Sequence, residues 1–271
     1  MSAIDVLSPG VLTTVQDLGR PGLAHLGVSP SGAVDAPSLE RGNRLVGNGR
    51  TAAALEATLI GPRLRFRCAA LVAVTGPRRD ERAFEVGAGD ELDVGRLEHG
   101  ARAYVCVRGG IDAAPVLGSR STDLLTGLGP APLRTGDVLA LGPEPRTAPE
   151  PLALLRVDVE PVLHVHPGPR DDWFAPDAID ALVGTDWRVS PDSNRVGIRL
   201  EGPALRRVRI DELLSEGVVT GALQVPPSGL PILLLNDHPT TGGHPVLAVV
   251  TSDDLPIAGQ LRPGDRVSFR R

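Results

Sequence analysis

The chain has 271 residues, of which 41% are hydrophobic and 3% aromatic, and its formal net charge is −5. No lysine occurs, and all 28 basic side chains are arginine. That excludes a Walker A phosphate loop, a lysine Schiff base, a biotin-carrying lysine and the serine–lysine machinery of amidase-signature and penicillin-binding enzymes. Scarce aromatics and negative charge argue against a nucleic-acid binder. The length suits one to two domains, and 32 glycines with 26 prolines point to a turn-rich, β-rich protein. No run approaches the ~18 apolar residues of a membrane helix. Residues 1–5 lack the basic and apolar stretches of a signal peptide, so a cytoplasmic protein is expected. Cys68 and Cys106 are too far apart for a CxxC motif and too few for a disulfide framework.

In chain order, an opening strand runs into the Pro9-Gly10 turn and is followed by a hydroxyl-rich strand through Thr13, Thr14 and Gln16. A helix is predicted over Pro37–Val46, with Asp35 as cap, Pro37 in the first turn and Gly47 as a left-handed stop. Period-two runs predict strands at Leu71–Thr75 and Ala103–Val107. The Pro/Glu-rich stretch Pro143–Pro151 reads as a crossing between two halves. The expected lobes are therefore 1–147 and 148–271. The second half predicts a helix over Pro176–Val183, stopped by Gly184, and strands at Ile232–Leu235 and Val246–Thr251.

The halves share four signposts in order. Each opens with a strand and a Pro-Gly turn (Pro9-Gly10, Pro167-Gly168). Each has a short helix ending in Leu-Val-Gly (Leu45–Gly47, Leu182–Gly184). Each has a Gly-Pro turn before leucine and arginine (Gly61–Arg65, Gly202–Arg206). Each closes with Leu-Arg-x-Gly-Asp and an alternating strand (Leu133–Leu141, Leu261–Phe269). The pattern is a degenerate duplication. Many short strands with few helices predict antiparallel β-barrels or sandwiches.

Three segments carry candidate chemistry. Asp17 beside Arg20, followed by Ser31 and Asp35, pairs an acid with an arginine able to orient a carboxylate or phosphate. The alternative is a loop clasp, with Asp35 only a helix cap. Ser119, Arg120, Ser121 and Thr122 form a turn able to seat an anion, or a merely polar turn. The third segment, Asp237-His238-Pro239-Thr240-Thr241-Gly242-Gly243-His244, can expose backbone N–H groups in a concave anion nest. Glycine is also the plain choice for a hairpin. Neither His238 and His244 with Asp237, nor His164 and His166, show a metal-ligand spacing. Arg63, Arg65 and Arg67 read as one solvated strand face. Glu56 is either a buried acid or a strand-edge carboxylate.

Gly10–Gly22, Ser31–Asp35, Ala54–Thr58, Arg108–Asp112, Val116–Thr122 and Asp237–Gly243, taken together in this order, resemble the family of the C subunit of bacterial ATP-dependent 5-oxoprolinase. The same family carries the labels biotin-dependent carboxyltransferase, allophanate hydrolase subunit 2 and KipA, the antagonist of a kinase inhibitor. The resemblance implies a mainly β fold of tandem cyclophilin-like antiparallel β-barrels with a few short helices. It implies action with a B-type (KipI-like) and an A-type (LamB/YcsF-like) subunit, opening 5-oxo-L-proline to L-glutamate. ATP with Mg is expected to bind in the complex, with no covalent biotin on this chain and no metal site. Inactivity of the isolated chain is also expected. Asp17 and Asp237 are the implied catalytic residues. Arg20, Ser31, Arg120, Ser121, Thr122, Thr240, Thr241, Gly242 and Gly243 are the implied substrate- or phosphate-binding ones. His244 stands where the family leads one to expect an aromatic. The alternatives are a regulatory binding protein of the KipA type and half of a biotin-dependent carboxyltransferase.

Overall fold

The computed structural model describes residues 2–77, 81–150, 161–209 and 211–271; Pro151, the end of the expected crossing, lies outside them. The chain groups into two compact units: Met1–Arg20 with Ser31–Asp158, and Pro21–Pro30 with Val159–Arg271. The short stretch 21–30 therefore belongs to the second unit, where Ser29 Oγ donates to the His238 carbonyl at 2.7 Å. Nothing in its composition announced that exchange.

The first unit contains β1 (Ala3–Ser8), β2 (Leu12–Gln16), α1 (Ala36–Leu45), β3 (Ala54–Thr58), β4 (Arg63–Phe66), β5 (Ala70–Thr75), β6 (Ala83–Val86), β7 (Glu91–Asp93), β8 (Arg102–Val107) and β9 (Val138–Ala140). Its strands form two antiparallel sheets, ordered β7-β4-β1-β9 and β2-β3-β8-β5-β6. Alternation sorts the side chains of the five-stranded sheet. Val15, Leu55 and Val105 join Ile4, Val6, Leu64 and Phe66 of the other sheet in one core. The opposite face packs Ala54, Ala73, Tyr104 and Cys106 against Leu39, Leu45 and Val46 of the α1 region. A row of buried polar groups crosses this second face: Thr14 lies opposite Glu56, Glu56 opposite Tyr104, and Tyr104 opposite Thr75.

α1 starts as the sequence predicts. Asp35 accepts from the Ser38 N–H at 3.1 Å, proline occupies the first turn, and Gly47 follows the end at φ 74°. Cys106 lies beneath this helix, and burial pushes its thiol above the ordinary range.

The second unit contains β10 (Val162–Pro167), α2 (Ala178–Val183), β11 (Trp187–Val189), β12 (Gly197–Glu201), β13 (Glu216–Gly217), β14 (Ala222–Gln224), β15 (Ile232–Leu234), β16 (Thr241–Gly242), β17 (Val246–Val250), α3 (Leu255–Gly259) and β18 (Arg266–Arg270). Seven strands close into a barrel, β10-β17-β14-β15-β12-β11-β18. The β10–β18 pairing is parallel, while the others are antiparallel. Trp187 is wholly buried, and its ring N–H donates to the Leu182 carbonyl at 2.9 Å. Two local features differ from the sequence expectation. Gly184 ends α2 at φ −80°, so no left-handed stop forms there. α3 has no counterpart in the sequence reading, because five residues with a proline in the first turn show no helical period.

Candidate functional site

The site in the first unit grows from the end of β2. Asp17 is 6% exposed, and its carboxylate is nearly saturated. Oδ1 accepts from Ser119 Oγ (2.6 Å), Ser121 Oγ (2.6 Å) and the Gly19 N–H (2.8 Å). Oδ2 accepts from the Arg120 N–H at 2.7 Å. The Asp17 backbone closes the knot: its N–H donates to Ser121 Oγ, and its carbonyl accepts from the Ala33 N–H. Gly32 sits so close to Gly19 that a Cβ there would lie 2.6 Å from the Gly19 nitrogen. The segments 16–20, 31–35 and 119–122 are thus one hydrogen-bonded body. Asp17 holds the 119–121 turn in place and has little capacity left to take a proton from a substrate.

Arg20 is 3% exposed. Its Nη2 donates to the Ser121 carbonyl at 2.5 Å and its Nε to the Val116 carbonyl at 3.3 Å. Both acceptors are neutral, and among the described residues Arg20 has no ion-pair partner. Arg120 is half-buried, and the Asp17 contact uses only its backbone. It is presented by a two-residue hairpin, in which Val116 and Ser119 bridge across Leu117 and Gly118. Leu117, exposed at the tip, adopts φ 51°, a left-handed conformation that a side-chain-bearing residue reaches only at a cost.

The polar row beneath α1 supports the neighbouring loop. Glu56, 1% exposed, accepts from Tyr104 Oη (2.8 Å) and from the Val34 N–H (3.0 Å). Tyr104 Oη in turn accepts from the Asp35 N–H at 2.8 Å. Burial, then the nearby Glu56 and Asp35 carboxylates, drive the Tyr104 phenol far above its ordinary range. Glu56 is therefore the buried acid of the two sequence readings; it holds residues 34 and 35 and also pairs with the buried Arg102 at 3.4 Å. Ser31, at φ 49°, begins this loop. Asp35 also accepts from Ser38 Oγ at 2.6 Å. Arg41 reaches Glu81 with both arms, each at 2.6 Å, while Glu81 accepts from the Gly76 N–H.

The candidate loop of the second unit is organised differently. Asp237 is fully buried and takes Arg195, itself 1% exposed, with both oxygens at 2.9 and 3.1 Å. Thr241–Gly242 pairs antiparallel with Glu216–Gly217. Neither Gly242 nor Gly243 has positive φ, so the expected anion nest does not form. Gly242 leaves room for the Gln224 side chain: a Cβ there would lie 2.4 Å from Gln224 Nε2. Thr240 is half-exposed and Thr241 exposed. His238 is 3% exposed; burial lowers its pKa, and Nδ1 lies 2.7 Å from the Pro239 carbonyl. His164 pairs with Asp254 at 2.9 Å. No group of three or more His, Cys, Asp or Glu able to hold a metal occurs among the described residues.

The structure therefore gathers Asp17, Arg20, Ser31, Arg120, Ser121 and Thr122 within the first unit, and places Asp237 and Thr240–Gly243 in the second. Sequence reasoning passed over Arg195, which stands in an unremarkable Asn-Arg-Val context. It also passed over Gln16, read only as part of a strand; its place beside Asp17 on a hydroxyl-rich strand was the available signal.

A carboxyltransferase domain model, subdomain A and B, matches residues 26–271. The chain belongs to this family. It is 38% identical to the C subunit of 5-oxoprolinase from Escherichia coli K12, over 98% of this chain and 90% of that one. It is 36% identical to urea amidolyase of Lachancea kluyveri, over 98% of this chain but 17% of that protein. In structure it resembles K. lactis urea amidolyase with a TM-score of 0.92 and 34% identity, covering 98% of this chain and 18% of that one. The mainly β architecture is thus shared with a region of these larger proteins. No helix among the described residues is long and apolar enough to cross a membrane.

Proposed function

We propose that this chain is the C subunit of a cytoplasmic ATP-dependent 5-oxoprolinase, acting with a B-type and an A-type subunit to open 5-oxo-L-proline to L-glutamate. The observation that carries the reading is the 38% identity running along 90% of the E. coli protein, against 17% of a urea amidolyase. An unstrained lactam carbonyl is a poor electrophile; ATP in the complex supplies activation of the amide oxygen. The chain has no lysine and so offers no Walker A lysine to the phosphates; ATP with Mg belongs to the complex as a whole.

This chain's own part is to bind and orient. Arg20 and Arg120 supply positive charge, Thr122 supplies a hydroxyl, and Asp17, through Ser119 and Ser121, fixes the turn that carries Arg120 and Thr122. Asp17 acts as an orienting carboxylate rather than as the base, because four hydrogen bonds already occupy it. Within the second unit, Thr240 and Thr241 remain binding candidates from the family resemblance, and Asp237 anchors their loop.

The reading is tested by purifying the chain alone and with its B- and A-type partners, and measuring ATP-dependent glutamate release. The expected result is no turnover alone and turnover in the mixture. Turnover by the isolated chain, or none in any mixture, overturns it. Carboxyl transfer from biotin in the mixture favours the carboxyltransferase alternative.

A further inference from the structure

Among the buried polar atoms of the first unit without a hydrogen-bond partner in the described residues are Gln16 Oε1, Arg20 Nη1 and Thr122 Oγ1. Their residues are 0%, 3% and 2% exposed, and Gln16 and Arg20 each bond to the short stretch Ser121–Thr122. Gln16 Nε2 donates to the Thr122 carbonyl at 3.0 Å and to Thr14 Oγ1 at 3.0 Å. Arg20 Nη2 donates to the Ser121 carbonyl, one residue away. The Thr122 carbonyl can only accept, so the Gln16 amide cannot be turned around; its oxygen is the atom left over.

Leaving a buried donor or acceptor unmet is costly, and more so for a charged group. Buried charges are ordinarily paired. A buried guanidinium whose acceptors are neutral carbonyls lacks the counter-charge that an anionic ligand would supply. Beside it stands an acceptor, Gln16 Oε1, which calls for an N–H. A hydroxyl, Thr122 Oγ1, can serve either. The set asks for a negative charge and an N–H close together on one small molecule.

We infer that Gln16, Arg20 and Thr122 form the pocket that reads the carboxylate–N–H edge of the substrate. The ligand class is an α-carboxylated lactam or N-acyl amino acid, in which one carbon separates carboxylate and amide N–H. This rests on the 5-oxoprolinase reading and deepens it. A neutral urea offers the N–H but no charge for Arg20, and inorganic phosphate offers charge but no N–H.

The test uses the reconstituted complex with three compounds: 5-oxoproline, 2-pyrrolidinone, which lacks the carboxylate, and N-methyl-5-oxoproline, which lacks the N–H. Wild type is expected to prefer 5-oxoproline over each by about 100-fold or more in kcat/KM. Arg20→Gln should erase the carboxylate preference, mainly through KM, and leave the N–H preference. Gln16→Leu should narrow the N–H preference and leave the other. Thermal unfolding of each variant separates these effects from misfolding, and the ligand series on wild type stands even if a variant fails to fold. Turnover with no preference for the carboxylate or the N–H overturns the inference alone and makes the three atoms a site for internal water. No turnover of any compound overturns the parent reading and the inference with it.

Discussion

Two buried arginines divide the molecule into a part that is finished and a part that is waiting. In the barrel unit, Arg195 meets the two oxygens of Asp237, and both side chains are shut from water. In the two-sheet unit, Arg20 is nearly as deeply buried but meets only two carbonyls. The first arrangement cancels its charge and fixes a loop. The second leaves charge uncancelled, which a fold tolerates where a ligand supplies the missing partner. A carboxylate in the sequence is thus not enough to mark a site. Asp237 lies in the motif-rich loop and is held by Arg195, whereas Arg20 has no carboxylate partner among the described residues.

This contrast can be strained in both units. The largest effect is expected from Asp237→Ala, which takes from the buried Arg195 its carboxylate; removing one partner of such a pair costs about 3–5 kcal/mol. Chemical denaturation should show the loss directly. Tyr104→Phe removes the hydroxyl that joins Glu56 to the Asp35 N–H. It should cost about 1–3 kcal/mol and loosen the 31–35 loop. Leu117→Asn should act in the opposite direction, gaining about 1 kcal/mol by putting a tolerant residue at the left-handed turn. Differential scanning calorimetry is suited to that small gain.

A smaller, pH-dependent effect belongs to His238. Burial holds its pKa below the ordinary 6.5, while the unfolded chain keeps the ordinary value. The unfolded state therefore binds the proton more readily. The contribution to stability is whole above about 6.5 and is lost as pH falls through the lower folded-state value. Thermal unfolding followed from about pH 8 to about pH 5 should show a decline that His238→Asn flattens.

Much of this was legible in the sequence, and the exceptions have physical causes. The Leu-Arg-x-Gly-Asp signpost folds alike in both units. The Arg134 N–H donates to Asp137 Oδ2 at 2.7 Å, the Arg262 N–H donates to Asp265 Oδ2 at 2.8 Å, and both glycines have positive φ. A local turn needs only local residues, so its signal survives in a few letters. The Asp35 cap and the solvated Arg63/Arg65 face, both arginines paired to Glu91 at 2.6 Å, are equally local. The partnership of Asp237 with Arg195 spans 42 residues, and that of Asp17 with Ser119 spans 102. No periodicity or spacing carries such distant pairings. For the same reason Gly242-Gly243 looked like a nest, although neither glycine has positive φ and the space beside Gly242 is taken by the Gln224 side chain of another strand.

The most direct test of the account sets stability beside turnover for Arg20→Gln in the reconstituted complex. Because Arg20 has no carboxylate to lose among the described residues, the substitution should leave unfolding free energy within about 1 kcal/mol of wild type. Glutamate release from 5-oxoproline should meanwhile fall by about 100-fold. A variant that unfolds as readily as Asp237→Ala, or one that keeps full turnover, would make Arg20 another piece of scaffold and contradict the distinction between the two arginines.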